Sequence, residues 1–252
     1  MKIKVMSVFG TRPEAIKMVP IIKELEENEN FESVVCVTAQ HREMLDQVLE
    51  IFNIKPKYDL NIMKEKQTLT TLTTTIIKEL EEVYLKEKPH IVLVHGDTTT
   101  TFCAALSAFY KKIDVGHVEA GLRSNDIYFP FPEEVNRRLT AVLSKIHFTP
   151  TNVSKNNLLR EGVKDDSIFV VGNTVIDTMK YTIKDNYEFK NEVLKSINFN
   201  KKVIVVTAHR RENWGEPISN ICRAIKRLSN EYKDDVQFVF LTHLNPIVRN
   251  DI

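Results

Sequence analysis

Along the chain, short runs rich in valine and isoleucine alternate repeatedly with stretches whose apolar residues recur every three or four positions. Runs of the first kind suit strands buried on both faces, and stretches of the second suit amphipathic helices. The pattern predicts strands near residues 3–9, 33–38, 91–95, 115–119, 147–149 and 168–171, with helices over 13–27, 42–52, 69–86, 99–111, 133–144 and 154–160. Alternating strands and helices mean an α/β fold, a parallel sheet covered by helices on both faces. From 173 to 202 the sequence turns polar and weakly periodic, so an N-terminal domain is expected over 1–172 and a linker with the start of a second domain over 173–252. That second block offers strands near 203–207 and 236–242 and a helix near 217–231. Two strands and one helix cannot close a domain core, so the second domain is expected to be incomplete in this chain.

Composition narrows the partners. The 35 basic and 34 acidic residues among 252 leave a net charge of +1, too little for a global field that would hold nucleic acid or an anionic membrane. Any anionic ligand must be held by local charges. No apolar run follows a basic start in the manner of a signal peptide, and no apolar stretch approaches the roughly 20 residues of a membrane span. A cytoplasmic protein is expected. Cys36, Cys103 and Cys222 are widely spaced within apolar segments, which predicts buried reduced thiols rather than a metal or redox motif.

In open parallel sheets, ligands bind beyond the carboxyl ends of the strands, where loops and helix N-termini point their donors outward. Six strand ends here are polar: Gly10-Thr11-Arg12-Pro13-Glu14, Gln40-His41-Arg42, His95-Gly96-Asp97, His117-Val118-Glu119-Ala120-Gly121, His209-Arg210-Arg211-Glu212 and His243. Together they imply a site between two domains. Arg12 and Lys17 bracket the first turn of a helix, where the macrodipole is already positive; either an anion binds there or Glu14 offsets the field. Asp97 precedes a threonine run and a helix, so capping is its bland alternative to chemistry. Glu133, after Pro132 in a first helical turn, is favoured there by the dipole alone. Glu119 is harder to explain structurally, because inner parallel strands are ordinarily apolar on both faces. His95, His117, His209 and His243 each have the alternative of a hydrogen-bonded core histidine. The pairs His95-x-Asp97 and His117-x-Glu119 would each put two ligand-type side chains on one strand face, which keeps a metal-dependent hydrolase open. The absence of G-x-G-x-x-G and Walker A patterns gives nicotinamide and ATP chemistry no support.

Seven ordered segments, GTRPEAIKM (10–18), HGDTTTT (95–101), HVEAGLRS (117–124), PEEVNRR (132–138), GNTVIDT (172–178), HRREN (209–213) and HLNP (243–246), resemble the bacterial non-hydrolysing UDP-N-acetylglucosamine 2-epimerases. The resemblance implies a glycosyltransferase-B type fold of two Rossmann-like domains and a homodimer with neither metal nor organic cofactor. It implies interconversion of UDP-N-acetylglucosamine and UDP-N-acetylmannosamine for polysaccharide synthesis. It makes Asp97, Glu119, Glu133 and His209 the catalytic set. Arg12, Lys17, Arg137 and Arg210 join Asp97, Glu119 and His209 as contacts to the UDP-sugar. Gln40, His41, Glu134, Arg210 and His243 correspond to a regulatory site that some members carry. A hydrolysing relative, releasing N-acetylmannosamine and UDP, would use much the same groups in a wetter cleft. The family's serine- and glycine-rich nucleotide loop would follow residue 252.

Overall fold

β1 (Ile3–Phe9) sets the architecture, because Met6 and Val8 bury themselves in one apolar cluster while Val5 and Phe9 bury themselves in another on the opposite face. A strand apolar on both sides is stable only between two layers of helix. A computed structural model describes residues 2–39, 42–63, 67–208 and 215–242. The chain forms two compact units, Met1–Ile183 and Lys184–Ile252.

In the first unit β1 is followed by α1 (Arg12–Glu27), β2 (Phe31–Val37), α2 (Arg42–Ile51), β3 (Tyr58–Asp59), α3 (Leu69–Glu87) and β4 (Ile91–His95). Then come α4 (Thr99–Tyr110), β5 (Asp114–Val118), α5 (Glu133–Leu143), β6 (Ile146–Thr149), α6 (Asn152–Arg160), β7 (Ile168–Val170) and α7 (Val175–Thr182). All seven strands pair in parallel, in the order β3-β2-β1-β4-β5-β6-β7. β1 therefore lies beside β4, and the chain turns outward in opposite directions from that pair. Met18, Val19 and Ile22 of α1 pack with Leu45 and Val48 of α2 on one face, and Ile76, Leu80 and Tyr84 of α3 pack with Cys103 and Ala104 of α4 on the other. Cys36 and Cys103 are fully buried, and desolvation pushes both thiols up to about 12. Cys222 is only half-buried, unlike the expectation for it.

The second unit, taken by itself, holds α8 (Glu192–Lys195), β8 (Lys202–Thr207), α9 (Glu216–Glu231) and β9 (Val236–Leu241) among its described residues, with β8 and β9 paired in parallel. No described helix is long and apolar enough to cross a membrane.

The strands and helices read from periodicity recur within a few residues. β3, α7 and α8 were not legible. In α7 the apolar Ile176 and Met179 are exposed, and the residue that anchors the helix is buried Thr178, whose hydroxyl donates to the Ile16 carbonyl at 2.6 Å. A helix held by a polar contact leaves a weak hydrophobic period. Because α7 packs on α1, the first compact unit runs to Ile183 rather than ending at 172.

The loop after β5 is pinned to α6. Asn157 Nδ2 donates to the Gly121 carbonyl at 2.9 Å, Gly121 has φ +84°, and a Cβ there would meet the Ser154 carbonyl oxygen at 2.3 Å. We expect Gly121→Ala to cost about 2 kcal/mol or more. Gly162→Ala, at φ +86° with nothing within 4 Å of its Cβ, should cost about 1 kcal/mol. Urea unfolding of both variants checks this; equal losses would mean that the approach to α6 does not constrain the loop.

Candidate active site

The turn from β1 into α1 carries a Thr-x-x-Glu pattern, Thr11 to Glu14, the spacing with which a third-position glutamate can reach back to the cap. Glu14 does so, accepting the Thr11 N–H at 2.7 Å and the Gly10 N–H at 3.0 Å on one oxygen. Its other oxygen accepts the hydroxyls of Thr98 at 2.7 Å and Thr101 at 3.1 Å. The side chain is buried, and desolvation pushes its carboxyl above the ordinary range against the pull of Thr98, Gly10 and Thr11. The offset to the helix field expected of Glu14 is thus a tie between two strand ends.

Asp97 follows β4. The N-cap of α4 is Thr98, whose hydroxyl accepts the Thr101 N–H at 3.2 Å, so the capping alternative for Asp97 fails. Its carboxylate instead takes a 2.5 Å hydrogen bond from Arg137 Nη2, and its carbonyl takes one of 3.0 Å from Asn136 Nδ2, both on α5. Burial raises the Asp97 pKa; the Arg137 guanidinium pulls it back, and the charges of Glu133 and Glu119 push it up again.

Glu119 is the first residue past β5, at φ +61°. For a non-glycine residue this left-handed conformation costs on the order of 1–2 kcal/mol. It turns the carboxylate out of the strand, where Lys17 Nζ donates at 2.5 Å and Asn173 Nδ2 at 2.7 Å. The residue before Asp97, Gly96, is likewise at φ +68°. Neither His-x-acid pair therefore continues along a strand face, which removes the geometric argument for metal ligation. Among the described residues no three His, Cys, Asp or Glu side chains are grouped to hold a metal ion. His117 Nε2 faces the Gly96 carbonyl at 2.7 Å, and burial pushes both His95 and His117 down to about 3, as for core histidines.

Glu133 opens α5 directly after Pro132, half-buried, its carboxylate without a hydrogen bond to any described residue. Glu134 is fully buried and accepts the N–H groups of Ser124 at 3.0 Å and Asn125 at 3.3 Å, with Arg138 Nε at 2.9 Å and Arg137 Nη1 at 3.4 Å. Arg12 is exposed and, with Lys17, borders a 610 Å³ cavity whose other walls include Val48, Phe52, Val175 and Met179. Gln40, His41, His209, Arg210 and His243 lie outside the described residues. The structure thus brings Lys17, Asp97, Glu119, Glu133 and Arg137 to neighbouring strand ends. Sequence reasoning did not single out Asn136 or Asn173, although both stand inside quoted motifs, and it gave Glu14 too small a part.

Two single substitutions separate the causes acting on Asp97. Arg137→Met should raise its pKa further and Glu133→Gln should lower it, each followed by carbon NMR of the labelled carboxyl across a pH titration. If neither variant moves the Asp97 titration, burial alone sets it.

The sequence profile of a family described as UDP-N-acetylglucosamine 2-epimerase matches residues 23–252. A protein of Clostridium acetobutylicum is 60% identical over 250 residues, covering 99% of this chain and 65% of its own length. The UDP-N-acetylglucosamine 2-epimerase of Bacillus subtilis is 56% identical over 248 residues, covering 98% and 64%. The chain thus spans about two thirds of the length of these relatives. A crystal structure of the UDP-GlcNAc 2-epimerase of Neisseria meningitidis bound to UDP-GlcNAc superposes with a TM-score of 0.84 at 55% identity, covering 99% of this chain and 68% of that one. The likeness carries the glycosyltransferase-B type of α/β fold that the motifs imply. On the profile match and on identities above one half along nearly all of its length, the chain belongs to the UDP-N-acetylglucosamine 2-epimerase family.

Proposed function

We propose that the protein containing this chain interconverts UDP-N-acetylglucosamine and UDP-N-acetylmannosamine without hydrolysis, by elimination and re-addition of UDP. The observation that carries this reading is the convergence of Asp97, Glu119 and Glu133, close enough that the last two act on the first. The hydrogen at C2 of the sugar has no neighbouring carbonyl to acidify it, so a carboxylate cannot remove it directly. If the C1–O bond breaks and its electron pair leaves with UDP, positive character at C1 acidifies that proton. A carboxylate takes it, a C1–C2 double bond forms, and the intermediate is 2-acetamidoglucal. UDP then returns to C1 while C2 is protonated on its opposite face.

This route needs a base and an acid on the two faces of C2, with proton affinities set apart by environment. A carboxyl raised by burial, as in Asp97, suits holding a proton; Glu133 and Glu119 supply the partner groups. Charge develops on the departing diphosphate, and fixed cations lower the barrier there. Arg12, Lys17 and Arg137 are candidates for that work, with His209 and Arg210 added on the family resemblance. The same resemblance supports a cytoplasmic homodimer that requires no cofactor and serves polysaccharide synthesis. It also supports the regulatory set that includes Glu134.

Turnover in D₂O without added cofactor tests the elimination. The epimerised nucleotide should carry deuterium at C2, read by product mass and proton NMR; full retention of the original hydrogen would exclude the mechanism. Release of free N-acetylmannosamine and UDP as sole products would instead favour the hydrolysing reaction. In the natively encoded protein, Asp97→Asn, Glu119→Gln and Glu133→Gln should each lower kcat by about 10² or more with smaller effects on KM. Near-normal turnover in all three would mean that their roles are structural.

A further inference from the structure

Between Ser124 and Glu134 the chain forms a loop whose neck is one carboxylate. Glu134 holds the loop's entry through the Ser124 and Asn125 N–H groups, while its own N–H closes the exit on the Pro130 carbonyl at 3.1 Å. Inside, Asp126 accepts the Tyr128 N–H through its side chain at 2.9 Å and the Phe129 N–H through its carbonyl at 3.1 Å. The tip is therefore built, yet it presents apolar side chains to solvent: Tyr128 is 74% exposed, Phe129 76% and Phe131 62%. None of the three rings stacks on a described ring. Adjacent aromatics held in water forgo burial that a folded chain ordinarily secures, and such groups mark a surface that something covers.

The neck shows where the loop belongs. From Glu134 the contacts run through Arg137, which spans Glu134 and Asp97, and the loop's exit leads straight into Glu133. The aromatic tip is thus held by Glu134, which shares Arg137 with Asp97, and Phe131 stands two residues before Glu133. Aromatic faces complement the C–H faces of a pyranose ring and exclude water from them. We propose that Tyr128, Phe129 and Phe131 cover the sugar of the bound nucleotide and keep water from the 2-acetamidoglucal, so that UDP rather than solvent captures it. This rests on the elimination proposed above. Without the cover, UDP and the glucal separate, or water adds across the double bond, hydroxide to C1 and a proton to C2, giving free N-acetylhexosamine. The loop is then a determinant of outcome, epimerised nucleotide against free sugar, and not a source of acid or base.

The test is a partition ratio, free glucal plus free N-acetylhexosamine over epimerised nucleotide, measured chromatographically for Tyr128→Ala, Phe129→Ala and Phe131→Ala in the natively encoded protein. The ratio should rise about threefold to tenfold for each ring that covers the sugar. Melting temperature should stay unchanged, because the rings are exposed. Phe129→Tyr and Phe131→Tyr keep the flat face and should return the ratio to that of the parent. A parental ratio in all three alanine variants overturns the proposal. So does dissociation of the assembly at a parental ratio, which would make a second copy the occupant of the tip. If the parent protein exchanges no hydrogen at C2, the elimination fails first; if it exchanges normally and only the ratio is unmoved, the loop inference alone fails.

Discussion

The buried carboxylate of Glu14 is the contact on which the geometry at the carboxyl edge of the first unit's sheet depends. It joins the turn after β1 to the turn after β4, accepting from Gly10 and Thr11 on one side and from Thr98 and Thr101 on the other. A carboxyl group taken out of water is costly unless its lone pairs are met, and here four donors meet them. The arrangement is local to two loops, but its effect is wider. Fixing the first turn of α1 against the first turn of α4 fixes where Lys17 and Asp97 stand, and therefore how the carboxylates beyond β4 and β5 are spaced.

Around that tie the charges are distributed in pairs. Lys17 holds Glu119, Arg137 holds Asp97, and Arg137 also reaches Glu134. Glu119 pays for its position with a left-handed backbone, a strain that persists only where surrounding contacts fix it, here Lys17 and Asn173 on its carboxylate. In the elimination proposed above, the same cations are the candidates to meet the charge that appears on the departing diphosphate. Glu133 stands outside these pairs among the described residues, and it influences Asp97 through space rather than by a shared proton.

The fold was more legible than the site. Strands apolar on both faces and helices with one apolar stripe carry their signal within a few residues, so β1, β2, β4 and β5 and their helices could be read directly. α7 could not, because what secures it is the hydroxyl of Thr178 on the Ile16 carbonyl. The capping alternative for Asp97 was a reasonable expectation for an aspartate before a helix, yet Thr98 is one residue closer and its hydroxyl serves both the cap and Glu14. The shared strand face expected for His117 and Glu119 failed because β5 ends at Val118 and the backbone reverses its sense at the next residue.

By itself, the sequence determined the alternation of strand and helix, the doubly covered parallel sheet, the family motifs and the identity of the carboxylates and cations at the strand ends. Each of these is a local property, written in spacings of two to four residues or in short motifs. Tertiary structure decided which of those groups meet. Lys17 and Glu119 are 102 positions apart, Asp97 and Arg137 are 40 apart, and Glu119 and Asn173 are 54 apart. Such pairs exist because the sheet order places β1 next to β4 and β4 next to β5, which brings the ends of distant strands within hydrogen-bonding reach. Periodicity cannot encode that proximity: it records which face of an element is buried, whereas the partners of a polar side chain are set by strand order and by the turns that aim it.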